Sequence, residues 1–384
     1  NLRCSNIIIN IMIVLGIETS CDETSVAFLE VNKTAKKSLK IKPLANTISS
    51  QIAIHQKYGG VVPKLACREH SENIDFVFSE AVKTAFPRIK NPQKVFDKID
   101  CLAVTNRPGL EIALLIGVNF SRALSWCFDK PLVPVSHIEG HLLSFLLPAI
   151  NQTIALPKKE EIFPAIALIV SGGHTLLVKV NDYGKYQVLG KTRDDAAGEC
   201  FDKGARILGL SYPGGPIIAQ LAQNYREKNK TNGDKNRKKL PSLPRPMLKT
   251  KDYDFSFSGL KTALLYSYQK LSKKEQKQLQ EYFAFELEEA ITDVLVEKTF
   301  KAVKNFPVKS IILGGGVVAN LRLREKIGEK AKDFPSLKVF LPELKYCQDN
   351  ALMIALAGAL NYLQSSKKKD FNWQKIKVSA NEIL

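Results

Sequence analysis

The chain has 384 residues, 45% hydrophobic and 24% charged, with a net charge of +18. The length exceeds one ordinary core, so two domains or two lobes are expected, and the composition excludes a disordered or fibrous chain. The positive surplus favours a polyanionic partner, nucleic acid ahead of an anionic membrane, although lysine-rich helix faces also serve solubility.

Seven cysteines, Cys4, Cys21, Cys67, Cys101, Cys127, Cys200 and Cys347, fall at irregular spacing with no C-x-x-C. That excludes a disulfide framework and a zinc ribbon and fits a reducing cytosol. The apolar run Ile7 to Ile17 after Arg3 resembles a short signal peptide. Glu18 just before Cys21, and the lack of a small-x-small cleavage site, argue against that reading. The run is also too short to span a bilayer. Residues 1–11 are read as an extension without structural weight ahead of Met12.

Ile13 to Ile17 is an apolar, β-branched strand, and Ser25 to Glu30 a second. Between them lies the polar turn Glu18 to Thr24, whose N–H groups and hydroxyls suit an anion and whose Asp22 suits a metal or a proton; an ordinary polar hairpin tip fits equally. The lysine-rich residues 33–42 read as an exposed turn. Leu65 to Phe86 has helical periodicity, with His70 as a structural or capping residue. Ile99 to Thr105 is a buried strand, Glu111 to Phe128 a helix, and Pro131 to Val135 a short strand leading into His137-Ile138-Glu139-Gly140-His141. Residues i and i+4 share one helix face, so the two imidazoles can grip one metal ion or simply form a polar face.

Residues 149–162 form a polar linker. Ala165 to Val170 is an apolar strand ending in Ser171-Gly172-Gly173-His174-Thr175, and Leu176 to Val180 resumes the strand. Such glycines let a backbone approach a ligand closely. Asp194 to Lys203 opens a helix running to Leu208, with Asp195, Glu199 and Asp202 on one side. Pro213-Gly214-Gly215-Pro216 starts the next. Residues 226–251 hold ten Lys or Arg against two acidic residues and read as a mobile, solvated loop. Helices follow from about Lys273 to Val303. Lys309 to Leu313 is a strand, and Gly314-Gly315-Gly316 to Asn320 a glycine-rich turn into a helix, without the Lys-Ser/Thr of a P-loop. Asp349 precedes the apolar helix Ala351 to Leu360, where it is either an N-cap or a distant third metal ligand. The tail from Lys367 is basic and mostly exposed. Three strand-to-glycine turns and a two-histidine face predict a two-lobed, metal-dependent α/β enzyme handling a nucleotide.

Nine segments in order add a resemblance. They are Ile17 to Thr24, Tyr58 to Pro63, His137-x-x-x-His141, Val170 to Thr175, Asp194 to Glu199, Phe201 to Lys203, Tyr212 to Pro216, Phe255 to Thr262, and Gly314 to Asn320. Together they resemble the TsaD family of tRNA N6-adenosine threonylcarbamoyltransferases. The resemblance implies the actin-like ATPase (ASKHA) fold, with nucleotide and metal in an interlobe cleft. It also implies transfer of threonylcarbamoyl from threonylcarbamoyl-AMP to N6 of adenosine 37 in tRNAs reading codons that begin with A. The implied metal ligands are His137, His141 and Asp349, holding Fe2+, with Zn2+ or Mg2+ as other candidates. The implied substrate contacts are Ile169, Val170, Ser171, Gly172, Gly173, Asp202, Gly215 and Asn320. Asp22 lies in the implied catalytic hairpin and is the candidate proton acceptor. Implied partners are tRNA, a TsaB-like paralogue and a TsaE-like ATPase, in the cytoplasm and without a membrane. The expected lobes are 12–135 plus 350–384, and 136–349.

The chain departs from the family pattern at Arg107, where glycine is usual, at Lys64, where glutamate is usual, and at its C-terminus, which lacks the common arginine-proline-rich ending. Three rivals stand beside this reading: a metalloprotease, a small-molecule kinase of the same fold, and a non-catalytic tRNA-binding scaffold. The zincin pattern needs Glu directly after the first His, whereas here Ile138 stands there and Glu139 lies roughly 200° round the helix from His137.

Overall fold

A computed structural model describes residues 10–33, 38–229, 240–366, 371–382 and 384. The chain divides into two compact units, one of residues 1–53, 61–161 and 348–384, the other of 54–60 and 162–347.

The first unit holds strands β1 (Asn10–Glu18), β2 (Glu23–Lys33), β3 (Leu39–Ser50), β4 (Cys101–Arg107), β5 (Leu132–Ser136) and the two-residue β6 (Ile154–Ala155), in the order β5-β4-β1-β2-β3-β6. β1 runs antiparallel to β2 and parallel to β4, and β4 runs parallel to β5. Parallel neighbours need helical crossovers. After the one-turn helix α1 (Ile52–His55), α2 (Pro63–Ala85) leads to β4, α3 (Glu111–Phe128) to β5, and α4 (His137–Leu143) follows β5. A short helix α5 (Lys159–Ile162) ends the segment.

The second unit repeats the plan. Its strands β7 (Ala165–Val170), β8 (Thr175–Asp182), β9 (Lys185–Lys191), β10 (Ser310–Gly314) and β11 (Lys338–Phe340) take the order β11-β10-β7-β8-β9. In both units the chain order across the sheet is fifth, fourth, first, second, third. Helices α6 (Ala197–Ile207), α7 (Gly214–Asn229), α8 (Ser258–Gln269) and α9 (Lys273–Asn305) separate β9 from β10, and α10 (Leu321–Ala331) separates β10 from β11. The last helix, α11 (Ala351–Gln364), returns to the first unit. This is the expected two-sheet α/β fold.

Small residues set how α11 lies. A Cβ on Gly16 of β1 would come within 2.3 Å of the Ala351 carbonyl oxygen, and one on Gly358 within 2.3 Å of the Ala103 Cβ. Glycine and alanine therefore let the helix rest against the sheet, where a larger side chain would cost about 1–3 kcal/mol of overpacking. The hydroxyl of Ser25 accepts from the Ala351 N–H at 2.9 Å and pins the helix start over β2.

Several expectations are corrected. Residues 136–161 and Gln348–Asp349 lie in the first unit rather than the second, because α4 packs on α11. Asn10 and Ile11 pair with Lys33 and Asn32 in the first ladder, so the structureless extension stops short of them; residues 1–9 lie outside the described residues. Of the lysine-rich stretch read as a turn, Lys33 ends β2 and Leu39 to Lys42 open β3, and residues 34–37 lie outside the described residues. In the basic stretch, 226–229 are the last turn of α7 and 230–239 lie outside the described residues. Arg226 pairs with Glu288 at 2.7 Å and Arg245 with Asp293 at 3.0 Å, so these two cations are bound to α9 carboxylates instead of being free in solvent. The tail is docked: Arg122 donates to the Trp373 carbonyl at 3.2 Å, and Ile376 is buried. Helix α3 is long and apolar enough to cross a membrane, but it packs on β4 and α2.

Candidate metal centre and substrate loops

The candidate residues fall in two sets, one per unit. In the first unit the carboxyl ends of β1, β4 and β5 lie side by side. β5 ends at Ser136 and α4 starts at His137, so the strand delivers both histidines at the sheet edge. A Cβ on Gly140 would sit 2.9 Å from the Ile354 side chain and 3.0 Å from that of Met353. The glycine between the two histidines is thus what lets α4 approach α11.

Asp349 comes immediately before α11. Asn350 takes the N-cap, its side chain accepting from the Met353 N–H at 3.1 Å. Asp349 is therefore not the cap, and its Oδ1 stands 3.0 Å from His141 Nε2 and 3.4 Å from His137 Nε2. Ligands bound at about 2.0–2.2 Å in tetrahedral or octahedral array stand roughly 3.0–3.5 Å apart. One donor atom from each of the three residues lies within 4.8 Å of the other two, so the set fits a single divalent ion.

The surroundings prepare that set. The Glu18 carboxylate stands 3.0 Å from His137 Nδ1, and accepts from Thr105 Oγ1 at 2.6 Å and from the Ser20 N–H at 2.5 Å. A carboxylate on one ring nitrogen fixes the orientation of the ring and directs the other nitrogen at a metal. Burial opposes charge on His137, but Asp349 and Glu18 outweigh it and push its pKa up to about 9. For Glu18, burial opposes ionisation too, and His137 beside it brings the carboxyl below its ordinary range. Burial and the neighbouring His137 hold His141 down, as a neutral imidazole suited to ligation. His141 Nδ1 is buried without a hydrogen-bond partner, so packing and the Nε2 contact with Asp349 at 3.0 Å orient that ring.

Asp22 is buried in the turn between β1 and β2, where its carbonyl accepts from the Gln51 N–H at 3.0 Å. Burial, then Asp349 and Asp22, push Glu23 well above the ordinary carboxylate range. Burial, Asp22 and Asp349 together raise the Cys21 thiol. His70 is structural, as expected. Its Nδ1 meets Thr24 Oγ1 at 2.8 Å and its Nε2 meets the Cys21 carbonyl at 2.9 Å, tying α2 to the turn. Glu139 faces α11, where Asn361 donates to it at 3.0 Å. It is held away from the role a zinc protease needs.

In the second unit, β7 and β10 pair in parallel with Ile169 opposite Gly314. Their carboxyl ends bring Ile169 to Gly173 beside the Gly315–Asn320 turn. Gly315 has φ 96°, and a Cβ there would meet the Val170 carbonyl oxygen at 2.3 Å. Gly172 and Gly173 are exposed, with nothing within 4 Å of an added Cβ. Gly198 at the start of α6 donates to the Ser171 carbonyl at 3.2 Å. Asp202, one turn on, accepts from the Gly214 N–H at 2.7 Å, and so holds the Gly214-Gly215 start of α7. Asn320 caps α10 by accepting from the Leu323 N–H at 2.9 Å, and donates to buried Glu288 at 2.7 Å. All eight candidate substrate residues are at one end of this unit.

Glu18, Thr105, Glu23 and Glu288 were not singled out in the sequence. Glu18 has a readable signal, a carboxylate closing an otherwise apolar strand. The other three depend on tertiary placement.

The duplicated α/β fold defines an ASKHA-type protein, and its two-imidazole, one-carboxylate cluster at a sheet's carboxyl edge is a set that could hold one divalent ion. The crystal structure of T. kodakarensis HypF shares that fold, with TM-score 0.52 and 12% identity over 94% of this chain and 50% of that one. The sequence model of TsaD, tRNA N6-adenosine threonylcarbamoyltransferase, matches residues 42–356. A tRNA N6-adenosine threonylcarbamoyltransferase of Thermosipho africanus (strain TCF52B) is 47% identical over 347 residues, covering 90% of this chain and 93% of the relative. One of Geobacillus thermodenitrificans (strain NG80-2) is 42% identical over 354 residues, covering 92% and 93%. The chain belongs to the TsaD family, and its activity is that of a tRNA-modifying acyltransferase.

Proposed function

We propose that the chain transfers threonylcarbamoyl from threonylcarbamoyl-AMP to N6 of adenosine 37 in tRNAs that read codons beginning with A. The observation that carries the metal-assisted form of this reading is the convergence of His137, His141 and Asp349 around one point, with Glu18 behind His137. In this reading those three residues hold a divalent ion, Fe2+ in preference to Zn2+ or Mg2+. The ion, when bound, polarises the carbamoyl carbonyl and offsets charge on the leaving phosphate.

The chain's own groups do the rest. Ile169 to Gly173, Asp202, Gly215 and Asn320 bind and orient the adenylate, the glycines admitting it close to backbone N–H groups. N6 of the adenosine attacks the carbamoyl carbon, the bond from that carbon to the phosphate oxygen breaks, and AMP leaves. The N6 proton passes to Asp22, which is buried in the turn directly after Glu18, the carboxylate behind His137. The exocyclic amine is a weak nucleophile, so orientation and proton removal contribute much of the rate. The chain works in the cytoplasm with a TsaB-like paralogue and a TsaE-like ATPase.

The test is nucleoside mass spectrometry of unmodified tRNA after incubation with the full chain, both partners and synthetic threonylcarbamoyl-AMP. Threonylcarbamoyladenosine at position 37 is expected. Its absence, in a reaction that a related transferase completes with the same reagents, would refute the reading.

A further inference from the structure

The metal cluster and substrate loops leave one strongly charged feature of the first unit unused. The loop from α2 to β4 lines an open concavity of about 620 Å³ with Arg88, Lys90, Lys94 and Lys98. All four are exposed. Among the described residues none of them is ion-paired, whereas Lys203, Arg226, Arg322 and Lys326 all are. Asp97 is the one acid in the lining.

The concavity is firmly built. Val95 and Phe96 are buried, and Phe96 stacks on Phe128 of α3 with ring centroids 3.7 Å apart. The Asn91 side chain caps the turn by accepting from the Gln93 N–H at 3.0 Å. Asp100 accepts from the Ile13 N–H at 2.8 Å, which fixes the loop's exit to β1. An uncompensated cluster of cations on a rigid, concave floor concentrates anions.

We infer that this basic concavity binds the phosphodiester backbone of the tRNA substrate, away from the reacting adenosine. Four cations against one acid line a single open concavity, which suits a chain of phosphates better than a single phosphate group. The lining has no aromatic ring on which a base would stack, so the contact positions the RNA without reading its sequence. No large exposed apolar side chain lies in the lining to anchor it in a lipid surface. Lys98 stands three residues before β4, and Thr105 near the other end of that strand contacts Glu18. At about 3.3 Å per residue the concavity and the cluster are on the order of 20 Å apart.

The inference rests on tRNA being the substrate. The test compares full-length wild-type chain, the triple variant Lys90→Ala/Lys94→Ala/Lys98→Ala, and a control triple Lys270→Ala/Lys273→Ala/Lys274→Ala. Binding of unmodified tRNA is followed by fluorescence anisotropy between about 50 and 200 mM salt. The loop triple is expected to weaken binding at least tenfold at low salt and to reduce the slope of log K against log salt by about 2, at roughly 0.7–0.9 per lost phosphate contact. KM for tRNA rises, kcat at saturating tRNA holds, and the thermal midpoint is unchanged. An unchanged slope, or an equal loss in the control triple, would overturn the inference. So would intact tRNA binding with lost binding to phosphatidylserine vesicles, which would assign the groove to a lipid surface. Failure of the wild type itself to bind tRNA would sink the substrate reading as well.

Discussion

The carboxylate of Glu18 stands 3.0 Å from Nδ1 of His137, joining the end of β1 to the first residue of α4. Its other contacts, to Thr105 and to the Ser20 N–H, hold it in place. A supporting carboxylate of this kind typically contributes 10–100-fold to metal affinity. Glu18→Gln should therefore lower affinity for Fe2+ or Zn2+ by about that factor while the fold survives. Metal titration against a competing chelator checks it, with circular dichroism as the control.

Metal uptake should depend on pH with a definite sign. In the metal-free chain the His137 pKa is raised to about 9, so below that pH binding must displace a proton. Affinity should climb about tenfold per pH unit toward pH 9 and then flatten. The same shift stabilises the metal-free fold: the contribution is fully present below the unfolded histidine value, about 6.5, and is lost as pH rises through about 9. Isothermal titration in buffers of different protonation enthalpy counts the released proton.

Two glycines should separate stability from function. Gly315 combines φ 96° with a carbonyl 2.3 Å from its added Cβ, so Gly315→Ala should cost roughly 2–6 kcal/mol, the sum of backbone strain and overpacking. Gly172 has open space around it, so Gly172→Ala should stay within about 0.5 kcal/mol of wild type. If the substrate approaches that loop as proposed, the same change raises KM for the adenylate. Denaturant midpoints and steady-state kinetics on both variants give the contrast.

Asp194 accepts from Ser256 Oγ, Ser258 Oγ and the N–H groups of Phe257 and Ser258. Burial opposes its ionisation, but the two hydroxyls and the N–H groups prevail and lower its pKa. Its contribution is thus present above the unfolded carboxylate value and is lost as pH falls through the lower folded one. Asp194→Asn should bring the loss of order in residues 255–258 to neutral pH, seen as faster amide hydrogen exchange there.

The sequence made some of this legible and hid the rest for physical reasons. Helix α3 is found at Glu111 to Phe128, the bounds read from the sequence, because the Pro108-Gly109 break bounds its start. The histidine pair is visible because helix spacing is a local property. β9 is not, since it is mostly exposed and has no apolar alternation. The role of Asp349 could not be separated from capping until Asn350 was seen to take the cap. The placement of Glu18 behind His137 depends on the parallel register of β1, β4 and β5, which no local pattern encodes.

The most direct measurement counts bound metal and modified nucleoside together, in wild type, His141→Ala and Asp349→Ala, with the partners and threonylcarbamoyl-AMP supplied. One divalent ion per wild-type chain and threonylcarbamoyladenosine in the tRNA are predicted, with both lost in each variant while the fold is retained. Undiminished threonylcarbamoyladenosine from variants that hold no metal would contradict the account.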